Sequence, residues 1–195
     1  MGSKHDFRML RVGKAPLFFI VYPETDADHS RFHCGGGHDL GLGDHGKLEM
    51  LLLAKKIQRH SGEIEQLVSS PELRAIQASD FIHDELQARL QVMREFADQD
   101  LGCLEGAPLQ RNESSGVLIS APLDGEEESE FIIRIRRGLV RIFEVQKSTL
   151  LVCHLRVANQ VLAFLGIKTV KLRRGVLYSV VFLSDHPTPV FGEFS

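Results

Sequence analysis

The sequence predicts an α/β chain, a three-layer α/β/α sandwich around a mostly parallel central sheet. Three observations lead there. Short apolar, β-branched runs alternate along the chain with segments of helical periodicity. The first run, Pro16–Tyr22, is apolar at almost every position, as in a central strand covered on both faces. The later runs are separated by connections long enough for crossover helices, which parallel strands require.

Taken in order, Pro16–Tyr22 is the first strand, closed by Pro23. A polar, Gly-rich loop follows over 24–43. Leu48, Leu51, Leu52, Lys55, Lys56 and Arg59 then place apolar and basic residues on different faces of a helix, with Gly62 as its stop. Gln66–Ser69 reads as a second strand. Ser70-Pro71-Glu72 opens a helix with a cap residue and Pro in the first turn, running to about Ala88. Leu90–Met93 is a third strand, and 96–125 is an irregular excursion over the sheet, rich in Gly, Pro and Ser. Phe131, Ile132, Ile135, Leu139, Ile142 and Phe143 recur at helical spacing within Glu126–Gln146. Thr149–Cys153 is a fourth strand, Val157–Leu165 a helix stopped by Gly166, and Val176–Leu183 the last strand, at or near a sheet edge.

At 195 residues with 43% hydrophobic content, the chain suits one domain over 1–195, with 1–15 as an N-terminal extension. A net charge of -3 is far from the basic balance of a general nucleic-acid binder. The longest apolar runs, Ala15–Tyr22 and Met50–Ala54, are too short to cross a bilayer, and no secretory h-region follows Met1. Cys34, Cys103 and Cys153 are isolated and form no C-x-x-C, so a reducing, cytoplasmic setting is expected. In a parallel sheet, ligands bind beyond the carboxyl ends of the strands, which places Tyr22, Ser69 and His154 on one rim.

On that rim Val21-Tyr22-Pro23-Glu24-Thr25 resembles Arg-His-Gly-Glu-Thr, and Leu42-Gly43-Asp44-His45-Gly46 resembles Leu-Thr-x-x-Gly. Ser69-Ser70-Pro71-Glu72-Leu73-Arg74-Ala75-Ile76-Gln77-Ala78 keeps nearly all of Ser-Ser-Pro-x-x-Arg-Ala-x-Gln-Thr. Leu101-Gly102-Cys103-Leu104-Glu105-Gly106 resembles Phe-Gly-x-Trp-Glu-Gly, Gly125-Glu126-Glu127 a Gly-Glu-Ser element, and Cys153-His154-Leu155-Arg156 the late Ser-His-Gly-Gly. In these motifs the chain resembles the histidine phosphatase superfamily, of phosphoglycerate mutase-like fold, whose elements they follow in order over nearly the whole chain.

The resemblance implies attack on a phosphomonoester by the His of Arg-His-Gly, with two Arg and a second His holding the phosphoryl oxygens. Here the nucleophile position is Tyr22 and its Arg is Val21. Imidazole is largely a neutral nucleophile at pH 7, whereas a phenol is only about 0.1% ionised there. Losing one fixed stabiliser of transition-state charge typically costs about 10²- to 10³-fold in rate. Arg74 and His154 align with phosphate-binding residues, and Asp98 aligns with the proton donor, with Glu95 the weaker candidate. Arg156 takes the place of a Gly, either as an added phosphate contact or as a solvated arginine at a helix start.

Other features carry competing readings. Asp26, Asp28, His29, His33, Cys34, His38 and His45 include metal-ligand types, but their spacing matches no known site, and Gly35-Gly36-Gly37 favours a polar loop. Gly41-Leu42-Gly43-Asp44-His45-Gly46 fits G-x-G-x-x-G but lacks the preceding strand. Arg134, Arg136, Arg137 and Arg141 sit among Glu126, Glu127, Glu128 and Glu130, as a mutually compensating solvated face. Cys153 follows a buried strand as a small core residue.

The leading expectation is therefore a pseudophosphatase that keeps a weak phosphate pocket and acts by binding phosphate, a phosphorylated small molecule or a protein. The alternative is a weak or unconventional phosphomonoesterase using Arg74, His154 and Asp98. Neither reading calls for a cofactor or a metal, nor for nucleic acid or membrane as a partner.

Overall fold

The structure, a computed structural model, describes residues 17–21, 32–108, 124–167, 171–182 and 189–193. Six strands form one sheet in the order β3-β2-β4-β1-β5-β6. They are β1 (Leu17–Val21), β2 (Gln66–Ser69), β3 (Arg89–Val92), β4 (Thr149–Cys153), β5 (Leu177–Val181) and β6 (Val190–Glu193). The first four are parallel to one another, while β5 runs antiparallel to β1 and β6. The mostly parallel α/β sandwich expected from the sequence is the architecture found.

Four α-helices cover the sheet: α1 (Asp44–Ile57), α2 (Leu73–Leu86), α3 (Glu128–Val145) and α4 (Leu155–Phe164). The alternation of side chains along β4 assigns them to layers. Leu150 and Val152 enter a core with Met50, Ala54 and Ile57 of α1 and Ala75, Ala78 and Ile82 of α2. Leu151 and Cys153 enter the other, with Phe131, Ile135, Leu139 and Ile142 of α3 and Val157 and Val161 of α4. All five residues of β4 are buried, which explains why this run carries no polar alternation.

Several expected boundaries move, each for a local reason. Ser70 does not cap α2. Its N–H donates to the Val152 carbonyl and its hydroxyl to the Phe96 carbonyl, so the N-cap is Glu72 and Pro71 precedes the helix. The α1 segment tightens into a 3₁₀ stretch at Gln58–Glu63, rather than stopping at Gly62. Val176–Leu183 is not the last strand: Val190–Glu193 pairs antiparallel with β5 and takes the edge. Pro16 and Tyr22, the expected ends of the first strand, lie outside the described residues, as do 1–15 and residues 109–123 of the 96–125 excursion.

Parallel pairing aligns the carboxyl ends of the central strands. Val21 pairs with Cys153, and Ser69 with Val152. The chain leaves β2 into Ser70–Glu72 and leaves β4 directly into His154, the N-cap of α4. Two helix N-termini, with Glu72 and His154 as their caps, thereby open onto the same rim.

Candidate functional site

Arg74 lies in the first turn of α2 and is fully buried, as is His154, with relative exposures of 0% and 1%. A buried guanidinium must be paired, and this one has polar partners on both terminal nitrogens. Its Nη1 donates to the His38 carbonyl at 3.1 Å and its Nη2 to the Gly35 carbonyl at 3.0 Å. Asp39 Oδ1 lies 3.7 Å from Nη1 and Asp98 Oδ2 3.9 Å from Nη2. The loop that the sequence marks as Gly-rich is thus folded against Arg74.

Close packing explains the glycines. A Cβ on Gly35 would come within 2.3 Å of the Gln99 carbonyl oxygen and 2.5 Å of Glu105 Oε1. The bare backbone instead turns its N–H groups toward Glu105, whose carboxylate accepts from Gly35 at 3.0 Å, Gly37 at 2.9 Å, His38 at 3.0 Å and Leu101 at 3.0 Å. One face of the loop binds an anion and the opposite set of carbonyls binds a cation. Glu105 belongs to a recognised motif, yet nothing in its spacing announces this clamp.

His154 lies between two carboxylates. Nε2 is 2.7 Å from Glu72 Oε2, and Nδ1 is 3.1 Å from Asp98 Oδ2. Arg74 Nη2 approaches the same Nδ1 at 3.4 Å. Carboxylates at both ring nitrogens favour the doubly protonated imidazolium, which donates at each. Burial alone would lower the His154 pKa, but the charge and hydrogen bond of Asp98, with those of Glu72, raise it above its ordinary value of 6.5. For Asp98, burial pushes the pKa up, and the His154 charge and hydrogen bond, the Arg74 charge and the Gln99 N–H outweigh it and hold it below 3.8. With two cations and two carboxylates, this cluster is internally compensated.

The position of Asp98 is built from α3. Arg134 pairs with Glu126 through Nε at 2.8 Å and Nη2 at 2.6 Å. Its Nη1 donates to the carbonyls of Arg94, Glu95 and Ala97 at 3.2, 3.1 and 2.9 Å, and Nη2 reaches the Asp98 carbonyl at 3.4 Å. Glu72 Oε1 accepts the Asp98 N–H at 3.0 Å. The expectation of a uniformly solvated arginine face is therefore corrected: Arg134 is a part-buried clamp on 94–98, and Arg141 pairs with Glu95. Arg136 and Arg137 are exposed as expected.

Of the residues singled out from the sequence, the structure brings Arg74, His154 and Asp98 together. Arg156 is held elsewhere, donating to Glu128 Oε2 at 3.0 Å with its guanidinium 5.4 Å from the Phe131 ring centre. Glu95 is drawn to Arg141. Tyr22, Asp26, Asp28 and His29 lie outside the described residues. His45 is exposed on α1 beside Glu49, and among the described residues no group of three His, Cys, Asp or Glu is placed to hold a metal. Cys153 is buried, and burial followed by the Asp98 charge pushes its thiol pKa up, as for an inert core residue. The residue missed is Glu72. It occupies a position the motif leaves open, and an acidic side chain between Pro71 and Arg74 was the available signal.

Comparisons with known proteins agree with this fold. A putative α-ribazole-5'-P phosphatase from Escherichia coli superposes with a TM-score of 0.74 at 18% identity, covering 93% of this chain and 96% of that one. A mycobacterial glucosyl-3-phosphoglycerate phosphatase gives 0.71 at 16% identity, over 92% and 96%. The α-ribazole phosphatase of Shigella flexneri gives 0.70 at 17%, over 85% and 89%. These likenesses establish the fold. No curated protein matches the sequence. No helix among the described residues is long and apolar enough to cross a membrane. The sequence profile of the histidine phosphatase superfamily (branch 1) matches residues 18–180, spanning the strands and both helix starts that assemble the cluster. The chain belongs to the histidine phosphatase superfamily.

Proposed function

We propose that this member of the superfamily is a pseudophosphatase, which binds phosphate or a phosphorylated molecule weakly and does not form a phosphoenzyme. The observation that carries the reading is that the hydrogen-bonding groups around His154 and Arg74 are already matched within the chain. His154 is bracketed by Glu72 and Asp98, and Arg74 by the Gly35 and His38 carbonyls. An incoming phosphoryl group has to compete with these partners. Tyr22 and Val21 at the aligned nucleophile and cation positions support the same reading.

The alternative, a weak phosphomonoesterase, would use Asp98 as proton donor. A general acid at neutral pH needs a pKa raised toward 7, and the surroundings of Asp98 lower it. That direction, with His154 and Arg74 beside the carboxylate, supports the binding reading. Titration of wild type and Arg74→Ala with inorganic phosphate tests the pocket. Weak binding that is lost in the variant is expected, and equal affinity in the two would overturn the assignment.

A further inference from the structure

We propose that Glu72 is a resident anion of this site, and that phosphate enters only by displacing its carboxylate from His154. The inference rests on the phosphate-pocket reading above and adds the residue that sets its affinity. Three features of Glu72 support it.

The first is where the carboxylate goes. Glu72 is the N-cap of α2, but its side chain does not cap that helix. It reaches across the rim instead and is 4% exposed. The second is what it binds. One oxygen lies 2.7 Å from His154 Nε2, and the other accepts the Asp98 backbone N–H at 3.0 Å. A cationic ring donor and a backbone N–H held side by side are the donors a phosphoryl oxygen pair would take. The third is the field. Glu72 is the N-cap residue of α2 and His154 that of α4, so the pair is carried by two helix N-termini, whose partial positive charge favours an anion nearby.

The consequence is a direct competition. A phosphate reaching His154 Nε2 meets a carboxylate already there, and Asp98 sits on the other side of the ring. Two anions within about 4 Å repel strongly at the effective dielectric of a partly buried site, so phosphate and the Glu72 carboxylate exclude one another. Neutralising Glu72 without changing its shape removes the competitor. Glutamine retains an oxygen for the Asp98 N–H.

The test is titration of wild type, Glu72→Gln, and Glu72→Gln combined with Arg74→Met with inorganic phosphate, following the His154 ring nitrogens and the side-chain carboxyl of residue 72 by NMR. Glu72→Gln should bind phosphate about tenfold or more tightly than wild type, and the added Arg74→Met should remove the gain. In wild type the Glu72 carboxyl resonance should move together with His154 Nε2 as phosphate is added, a readout that does not depend on any variant folding. Equal phosphate affinity in wild type and Glu72→Gln, or a His154 shift with Glu72 unmoved, would overturn the proposal while leaving the pocket reading intact. Absence of binding in both wild type and Glu72→Gln would overturn the pocket reading, and this proposal with it.

Discussion

Glu105 holds Gly35 by its backbone: Oε2 accepts the Gly35 N–H at 3.0 Å, and the Gly35 carbonyl accepts in turn from Arg74 Nη2 at 3.0 Å. A surface motif is thereby coupled through one glycine to the buried cation of the site. Removing the carboxylate strands four backbone N–H groups at once. Glu105→Ala is expected to cost about 2 to 3 kcal/mol, a fall in Tm of roughly 4 to 12 °C for a chain of this size. Thermal denaturation checks it, and hydrogen exchange should show faster exchange at Gly35, Gly37 and His38.

Gly35→Ala tests the same coupling from the other side. The new Cβ would stand 2.3 Å from the Gln99 carbonyl oxygen, a backbone atom that cannot swing aside. Overpacking of this kind costs about 1 to 3 kcal/mol. Calorimetry should record the loss, whereas Gly62→Ala, with open space around its Cβ, should fall within about 0.5 kcal/mol of wild type.

Arg134→Lys should behave as a disruptive change. A lysine ammonium cannot span both Glu126 oxygens and the carbonyls of residues 94–98. A loss of about 1 to 3 kcal/mol is expected in urea denaturation, with the Asp98 and His154 resonances perturbed although neither residue is altered.

The paired shifts of Asp98 and His154 set a pH dependence with opposite signs at its two ends. Asp98 has its folded pKa below 3.8, so its stabilisation is complete above that value and is lost as pH falls through the lower folded pKa. His154 has its folded pKa above 6.5, so its stabilisation is complete below 6.5 and is lost as pH rises through the higher folded pKa. Both contributions are present together between 3.8 and 6.5. Stability measured across pH should decline on the alkaline side of that window, and the decline should shrink in Glu72→Gln, which removes one of the carboxylates that raise His154. An alkaline limb unchanged by the substitution would contradict the assignment.

How much of this was legible in the sequence follows from what periodicity records. Gln66–Ser69 and Thr149–Cys153 are legible residue for residue, because each has a buried apolar centre between polar or chain-turning residues. Arg74, His154 and Asp98 are legible through the resemblance, which aligns them with the family's site residues. Val190–Glu193 is not, since an edge strand of two exposed and two part-buried residues containing Gly192 has neither run nor alternation to show. Arg134 was misread for a different reason. Its helix pattern is amphipathic and charge-balanced, and only the tertiary placement of residues 94–98 reveals which carbonyls it binds. Glu72 belongs with Arg134, as its role depends on a ring 82 residues away.

The central claim is that this chain binds but does not turn over phosphomonoesters. Its most direct test is hydrolysis of an aryl phosphate by the purified protein, run beside His154→Ala. The expected result is a rate indistinguishable between the two and from buffer, with a phosphoenzyme detectable only after Val21→Arg, Tyr22→His and Pro23→Gly are combined with Glu72→Gln. Robust hydrolysis by the unaltered chain, abolished by His154→Ala, would contradict it.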